Sequence, residues 1–285
     1  MTYSEAIKKL RNKLILTQTE FGELFGVSFA TVNRWEAGKF KPTTKLKRKL
    51  APYFEKYEIK IDEEWGMVME LLTLDNLKSE AKIFCDFMKI ENHKSLIGVT
   101  DGKAVGTYVE HRFQKYLASK YRLEIGSSAR GIDLPGENIM TDIKVTSITQ
   151  PQSSCPFANA RQKIYGLGYN LLVFVYDKKD SADCCILDFK YCTFIDKHRT
   201  ADFTITKRLR EMLDDGANKE DIIGFLMDKK VPGDEIIYSD LADEILRSKP
   251  NQGYLTISNA LQWRLQYARV ITLNNSVEGV KNYEW

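Results

Sequence analysis

Two acidic residues and a lysine lie close together in a stretch of the chain that has the pattern of a β-hairpin: Asp133, Asp142 and Lys144. Residues 135–138 (PGEN) are a typical turn sequence, and residues 139–146 are predicted to form the following strand. Side chains two positions apart on a strand project from the same face, so Asp142 and Lys144 should lie side by side. If Asp133 lies on the opposite strand, the turn brings a second carboxylate to the same place.

This group of side chains has the composition of a metal-dependent hydrolytic site. A helix predicted over residues 101–121 precedes the hairpin and carries Glu110 at the margin of its apolar side. Carboxylate oxygens suit Mg²⁺, which keeps several waters and can bridge to a phosphate oxygen. A lysine beside the metal can stabilise negative charge on the phosphate or orient the attacking water. Together these groups are sufficient for metal-assisted, in-line hydrolysis of a phosphodiester.

The arrangement resembles the PD-(D/E)xK nuclease superfamily, the fold of most type II restriction endonucleases. The resemblance covers roughly residues 98–195, and it implies that Asp133 is the first metal-binding acid. It further implies that Asp142 and Lys144 form the D-x-K element and that Glu110 is the acid carried by the helix. The proline that usually precedes the first acid is replaced by isoleucine. The order helix, hairpin, helix and strand implies an α/β core with a mixed central sheet flanked by helices.

The segment after the hairpin also looks like one found in a group of restriction enzymes. It extends over residues 146–169 and contains a predicted basic helix with Arg161, Gln162 and Lys163. We expect this helix to lie across the strands of the active site, and we predict these three side chains as DNA contacts.

The D-x-K pattern by itself is a weak signal, because the chain contains it twice. Asp188, Phe189 and Lys190 also fit, with Asp177 eleven residues earlier. We prefer the first set, since a helix that bears a glutamate precedes it and a basic helix follows it. The second set is more simply explained as charges at strand ends. Ordinary charges on a surface hairpin remain the alternative explanation for the first set.

The net charge of +3 conceals an uneven distribution along the chain. Residues 1–60 contain 13 Lys and Arg against 6 Asp and Glu, which gives 13 − 6 = +7. The remainder contains 42 − 13 = 29 basic and 39 − 6 = 33 acidic residues, which gives −4. A basic N-terminal block on a nearly neutral body is typical of a module that faces phosphates.

The N-terminal block has the sequence pattern of a helix-turn-helix. Residues 17–20 (TQTE) form a capping box that begins one helix, Gly26 ends it, and Ser28 begins the next. The stretch 16–38 resembles the Cro and phage-repressor type of this motif, in which the second helix enters the major groove. The resemblance implies a set of DNA contacts: Gln18, Phe29, Ala30, Thr31, Asn33 and Arg34. A small helical bundle used only for protein contacts is the alternative.

The rest of the chain gives coarser signals. A long helix is predicted over residues 62–90, with Trp65, Val68, Leu72, Phe84 and Phe87 on one apolar side, and a polar stretch follows it. After residue 204 the pattern is mainly helical. Ser258 is predicted to begin a helix carrying Gln262, Arg264, Gln266 and Arg269, and residues 270–273 are a possible edge strand. These side chains could contact DNA, but we favour packing or dimerisation as their role.

We therefore predict three parts. Residues 1–60 form a helix-turn-helix DNA-binding domain, residues 61–95 a helical connector, and residues 96–285 an endonuclease domain in which 204–285 are helical additions. Five cysteines without C-x-x-C spacing predict reduced thiols rather than disulfides or zinc. No apolar run approaches the roughly 20 residues of a transmembrane helix. Secreted, membrane and zinc-finger classes are thus excluded.

The resulting hypothesis is a cytoplasmic, Mg²⁺-dependent, sequence-specific endonuclease of the type II restriction class that cleaves double-stranded DNA. Such enzymes usually act as homodimers on symmetric sites. The class also implies a cognate DNA methyltransferase in the same host. The alternative is a helix-turn-helix transcription regulator in which an inactive nuclease-like domain serves as a sensor or dimeriser. A repair or structure-specific nuclease fits the helix-turn-helix less naturally.

Overall fold

A computed structural model describes residues 1–61, 70–126, 131–154, 159–258, 264–273 and 275–285 of the chain. It divides into two compact units, Met1–Glu70 and Leu71–Trp285. In the part of the chain that is described, no helix has the length and apolar character that a membrane span requires. The described cysteines are free thiols.

The first unit is helical. Its helices are α1 (Tyr3–Lys13), α2 (Gln18–Phe25), α3 (Phe29–Glu36) and α4 (Thr44–Lys56). Their apolar faces meet in one core that includes Ile7, Leu10, Phe21, Val32 and Trp35. The predicted helix-turn-helix is therefore confirmed as α2, a tight turn and α3.

Local chemistry fixes the turn between α2 and α3. Thr17 and Glu20 form a reciprocal capping box, in which the Thr17 amide donates to Glu20 Oε2 at 2.8 Å and the Glu20 amide to Thr17 Oγ1 at 3.2 Å. Gly26 ends α2 with φ of +70°, a conformation that glycine adopts about as readily as one with negative φ. At Gly22 a Cβ atom would lie 2.5 Å from the carbonyl oxygen of Val27. Glycine at position 22 thus allows the turn to fold back onto α2.

The second unit is a mixed α/β structure. Its first elements are α5 (Leu74–Lys89), α6 (Gly102–Ala118), β1 (Thr141–Ser147), β2 (Gln152–Ser154), α7 (Ala160–Tyr165), β3 (Asn170–Asp180) and β4 (Cys185–Ile195). The remaining ones are α8 (Phe203–Asp214), α9 (Lys219–Asp228), α10 (Glu235–Arg247), β5 (Thr256–Ile257), β6 (Arg264–Gln266), α11 (Ala268–Ile271) and β7 (Val280–Glu284).

The main sheet has the strand order β1-β3-β4-β7. Strand β1 is parallel to β3, with Asp142 opposite Leu171 and Lys144 opposite Val173, and the other pairs are antiparallel. Alternate residues of β3 enter different cores, because side chains alternate across a sheet. Phe174 packs with α5 and α6, whereas Leu171 and Val173 pack on the opposite face. That opposite face is covered by a second sheet, with the order β2-β6-β5.

The structure changes the interpretation of residues 62–90. Residues 62–69, with Trp65 and Val68, lie outside the described residues, and the described helix begins only after Thr73. Leu71 pairs instead with Arg122 in a β-bridge. The helix α5 packs into the core of the second unit rather than acting as a separate connector, while Phe87 is exposed instead of buried.

The C-terminal region is only partly helical. Helices α8, α9 and α10 lie where helices are predicted. The predicted helix through Arg264 and Gln266 is wrong, because the polar-apolar-polar order of residues 264–266 has the period of a strand and buries Leu265 completely. Residues 268–271 form a short helix rather than a strand, and the edge strand is β7. Gln262 lies outside the described residues.

Candidate active site

The hairpin that carries the two aspartates forms around a short antiparallel contact. The amide of Leu134 donates to the carbonyl of Thr141 at 3.0 Å, and the Thr141 amide donates back to Leu134 at the same distance. Asp133 is thereby held beside β1, where its Oδ2 accepts a hydrogen bond from the Ile143 amide at 2.7 Å. Ile143 is the residue between Asp142 and Lys144, so the three charged side chains occupy one neighbourhood.

Asp142 and Lys144 project from the same face of β1. Their side chains form an ion pair, with 2.7 Å between Lys144 Nζ and Asp142 Oδ2. Asp142 is only 2% exposed. Lys144 therefore compensates this buried carboxylate, because desolvation of an unpaired charge would be costly.

Glu110 reaches this neighbourhood from α6. That helix begins at Asp101, whose carboxylate accepts from the Lys103 amide at 3.0 Å. At Gly106 an added Cβ would lie 3.9 Å from Val145, an ordinary van der Waals distance, so α6 and β1 are neighbours at this position. Glu110 lies one turn further along the helix.

The three acids interact strongly. Burial raises the pKa of Asp142 to about 7, and proximity to Asp133 contributes to the increase. Burial together with the negative charge of Asp133 raises the pKa of Glu110 to about 7 as well. The positive charge of Lys144 acts in the opposite direction on both groups. The site therefore has more negative charge than its own lysine neutralises.

The second D-x-K sequence has the opposite electrostatic character. Asp188 is surrounded by lysines, with Lys190 Nζ at 2.6 Å, Lys179 Nζ at 2.9 Å and Lys89 Nζ at 3.3 Å from its carboxylate. These hydrogen bonds hold the pKa of Asp188 well below its usual range. Its charge is thus already compensated, which distinguishes this set from the pair on β1.

The acids do not form a ready-made metal cage. Within the described part of the chain, no group of three or more His, Cys, Asp or Glu side chains is positioned to hold a metal ion. The structure brings Glu110, Asp133 and Asp142 close enough for mutual electrostatic interaction, without arranging them around one point.

The predicted DNA contacts on α7 are placed differently from one another. Arg161 is exposed and forms an ion pair with Glu244 at 2.8 Å. Lys163 is completely buried, and its Nζ donates to the carbonyl of Ile257 at 3.3 Å. Gln162 is half-buried. The structure therefore does not bring Lys163 to a surface that DNA could reach, because the buried side of α7 includes this residue.

The predicted reading helix α3 presents a polar, exposed surface. Phe29, Ala30, Asn33 and Arg34 are exposed, and Thr31 is half-buried with its hydroxyl 3.0 Å from that of Ser28. Gln18 accepts from Asn33 Nδ2 at 3.4 Å and donates to Glu36 at 2.7 Å.

An ion pair fixes this side-chain network. Arg11 Nε lies 2.6 Å from Glu36 Oε1, so Glu36 connects α1 to the network of Gln18 and Asn33. The first helix thereby orients the side chains at the start of α2 and on α3.

Thr146 lies beside the candidate site and is not among the residues that the sequence singles out. It follows Lys144 by two positions on the same face of β1, and its hydroxyl donates to the carbonyls of Gln150 and Gln152, both at 3.1 Å. The amide of Gln152 donates back to the hydroxyl at 3.2 Å. The spacing of two from Lys144 was the available signal.

The raised pKa values make stability depend on pH in the absence of metal. Both carboxyls keep their protons up to about pH 7 in the folded protein, whereas they lose them near pH 4 when unfolded. The folded state therefore binds more protons between these values, and the free energy of unfolding decreases as the pH rises. Since one pKa unit corresponds to about 1.4 kcal/mol, we expect Asp142→Asn to raise the free energy of unfolding at pH 8 by about 1–3 kcal/mol.

Denaturant unfolding in chelator at pH 5 and pH 8 measures this effect. The variant should also lose part of the pH dependence of the wild type. If the free energy of unfolding had the same pH dependence in both proteins, Asp142 would not be a carboxyl whose pKa is raised by folding.

Comparison with known proteins identifies the family of the chain. The second unit matches the family model of the type II restriction enzyme NspV over residues 71–282, and residues 7–56 match a helix-turn-helix model. Type II restriction enzyme NspV of Nostoc sp. (strain ATCC 29411 / PCC 7524) is 51% identical over 214 residues, which are 74% of this chain and 96% of that protein. No solved structure matches the chain. The chain therefore belongs to the NspV family of type II restriction enzymes.

Proposed function

We propose that this restriction enzyme hydrolyses phosphodiester bonds of double-stranded DNA with Mg²⁺ held at Asp133, Asp142 and Glu110. The observation that carries the proposal is Asp142, a buried carboxyl whose pKa is raised even though Lys144 Nζ lies 2.7 Å from its Oδ2. A buried carboxylate is unfavourable unless a cation accompanies it. Lys144 supplies one positive charge against three acids. A divalent cation would compensate the remaining negative charge.

The donor set suits Mg²⁺ in particular. This ion keeps several waters and is commonly bound by one or two carboxylates together with substrate phosphate, rather than by an all-protein cage. Since no three acids of the described residues surround one point, waters and a substrate phosphate would have to complete the coordination of the ion. When bound, the ion would stabilise charge on the phosphate as a Lewis acid.

The other catalytic roles can be assigned to individual side chains of the protein. Asp133 is held by the Ile143 amide and Asp142 by burial, so both carboxylates are fixed before substrate arrives. Lys144 Nζ, next to them, can donate to a phosphate oxygen or orient the attacking water. Glu110 holds a proton near pH 7 more readily than an ordinary glutamate, which suits it to supporting a metal-bound or attacking water.

The order of elements supports a PD-(D/E)xK core. A helix (α6), the hairpin with Asp133 and β1, a second helix (α7) and a strand (β3) follow one another, and β1 pairs with β3 in a mixed sheet. We further propose a homodimer acting on a symmetric site, a cytoplasmic location and a cognate methyltransferase that protects host DNA.

A cleavage assay tests the proposal. Long phage DNA is incubated with the protein and Mg²⁺, with and without chelator. We expect discrete bands that disappear with chelator. A smear would indicate an unspecific nuclease, and intact but retarded DNA would indicate a regulator with an inactive nuclease-like domain.

We propose that the helix-turn-helix unit adds DNA affinity without defining the cleavage site. Only 100 − 96 = 4% of the Nostoc relative lies outside the match, and the family match begins at residue 71. The relative therefore has no room for a counterpart of α1–α4. Because the relative lacks this unit, we expect the second unit to recognise the site that is cut, while the helix-turn-helix unit can bind a second sequence such as a promoter.

The double variant Asn33→Ala, Arg34→Ala in the full chain tests this role. We expect cleavage of a short duplex with the cleavage site to change by less than about threefold, since surface substitutions rarely disturb a separate unit. Binding of longer DNA should weaken, as measured by gel shift in Ca²⁺. Asn12→Ala, at an exposed position on α1, is the matched control. A changed base preference during cleavage would instead place α3 in the cleavage complex.

A further inference from the structure

The second sheet has one face of uncharged polar and basic side chains. In the register of these strands, Gln152 lies opposite Gln266 and Ser154 opposite Arg264. On the other side of β6, Thr256 also lies opposite Gln266. Paired residues of a sheet project from the same side, as do residues two apart on one strand. We call the face formed by these five residues the polar face: Gln152, Ser154, Thr256, Arg264 and Gln266.

The opposite face of this sheet is anchored in the protein core. Leu265 and Ile257 are buried in the apolar cluster that also contains Leu171 and Val173 of β3. Ser153 Oγ lies 2.5 Å from the hydroxyl of the buried Tyr267. Because this side is committed to packing, the polar face points away from the core, and Arg264 and Gln266 are exposed.

Three side chains of this face, those of Gln152, Arg264 and Gln266, make no hydrogen bond or ion pair among the described residues. The backbone around them is in contrast hydrogen-bonded: the amide of Tyr267 donates to the carbonyl of Pro151 at 2.8 Å, and the amide of Arg264 donates to Ser258 Oγ at 3.0 Å. The backbone of the sheet is thus fixed while the donors and acceptors of these three side chains remain available. No carboxylate belongs to this face.

The polar face is connected through Thr146 to β1, the strand that carries Asp142 and Lys144. Asp142, Lys144 and Thr146 share one face of β1, and the register of β1 with β3 places that face on the side of Leu171 and Val173. The second sheet packs on this same side. Thr146 lies one strand step, about 7 Å, beyond Lys144, and its hydroxyl makes hydrogen bonds to the carbonyl and the amide of Gln152, whose side chain belongs to the polar face.

From this placement we infer that the polar face reads base edges of the cleavage site in the major groove. The inference rests on the proposed function, since it needs a DNA duplex bound at Lys144. The major groove admits a small antiparallel β-ribbon, and strands are used in this way by several DNA-binding proteins. Arginine and glutamine have the geometry for two hydrogen bonds to one base, whereas acidic groups that would repel phosphates are absent from the face.

The chemistry assigns different bases to the residues. Arg264 is expected to contact guanine, because its fork matches O6 and N7, and Gln152 and Gln266 are expected to contact adenine through N6 and N7. Loss of one such bidentate contact costs about 5- to 100-fold in discrimination against the wrong base. Phosphate contacts, in contrast, weaken binding to all sequences alike and change its salt dependence.

The test uses the full chain with single changes Arg264→Ala, Gln266→Ala and Gln152→Ala. Cleavage rates are measured on a duplex with the cleavage site and on every single base-pair variant of that site. Arg208→Ala, a change at an exposed arginine on α8, is the matched control. We expect Arg264→Ala to lower kcat/KM on the true site by about 5- to 100-fold and to relax selection at a G·C pair, while the glutamine variants relax selection at A·T pairs.

Two results would overturn the inference. One is a wild-type rate and wild-type selectivity in all three variants. The other is an equal loss on every sequence with a reduced salt slope, which would make Arg264 a phosphate contact. Failure of the proposed function itself is distinguishable, because wild-type protein would then cut no duplex at all.

Discussion

Asp142→Ala is expected to reduce cleavage of the target duplex by at least about 10³-fold while DNA binding persists. The carboxylate is buried and paired with Lys144, while backbone groups rather than this side chain hold β1 against β3. Its removal takes away a proposed metal ligand and leaves that strand pairing unchanged. Single-turnover cleavage and gel shift in Ca²⁺ measure the two properties separately.

The second D-x-K sequence provides a matched control for this experiment. Asp188→Ala removes an aspartate from the same sequence pattern and the same sheet, but one that is already paired with Lys89, Lys179 and Lys190. We expect cleavage within about threefold of the wild type, with a loss of stability of about 1 kcal/mol because the pairs are close to the surface. If Asp188→Ala abolished cleavage and Asp142→Ala did not, the assignment of the active site would be wrong.

The features that the sequence predicts well are local ones. The helix-turn-helix depends on a capping box at Thr17, a left-handed glycine at position 26 and a cap at Ser28, and each acts within a few residues. The neighbourhood of Asp133 and Asp142 likewise follows from one short turn and the two-residue period of a strand. Such signals are readable because the groups that interact are close in the chain.

The features that the sequence did not reveal depend on distant contacts. The buried position of Lys163 follows from the packing of α7 against Ile257, which is far away in sequence. The negative charge of Asp188 is compensated in part by Lys89, which belongs to the distant helix α5. The sequence alone does not show this contact, so the two D-x-K sequences look alike. The cap at Ser258 predicts a helix through residues 264–266, and only pairing with β2 and β5 makes them a strand. The fold therefore determines two properties that the sequence motifs do not show: the charge environment of each aspartate and the pairing of the strands.

Lys144→Met is expected to lower the cleavage rate by about 10²- to 10³-fold, the typical effect of removing one group that stabilises transition-state charge. Methionine preserves most of the apolar length of the side chain, so packing around β1 should be retained. Lys190→Met is the matched control in the second D-x-K sequence, and it should cleave at close to the wild-type rate. A wild-type rate for Lys144→Met would remove this residue from the mechanism.

A second measurement on Lys144→Met separates an electrostatic role from a structural one. The lysine lowers the pKa of both Glu110 and Asp142, so its loss should raise these pKa values further. In chelator, the pH range over which stability decreases should then move upward, because the folded protein holds the two protons to higher pH. Lys144→Arg keeps the positive charge and should leave that range close to the wild type, even if its larger head reduces cleavage. A merely structural lysine would change the melting temperature at every pH alike, whereas a charge acting on the acids changes its pH dependence.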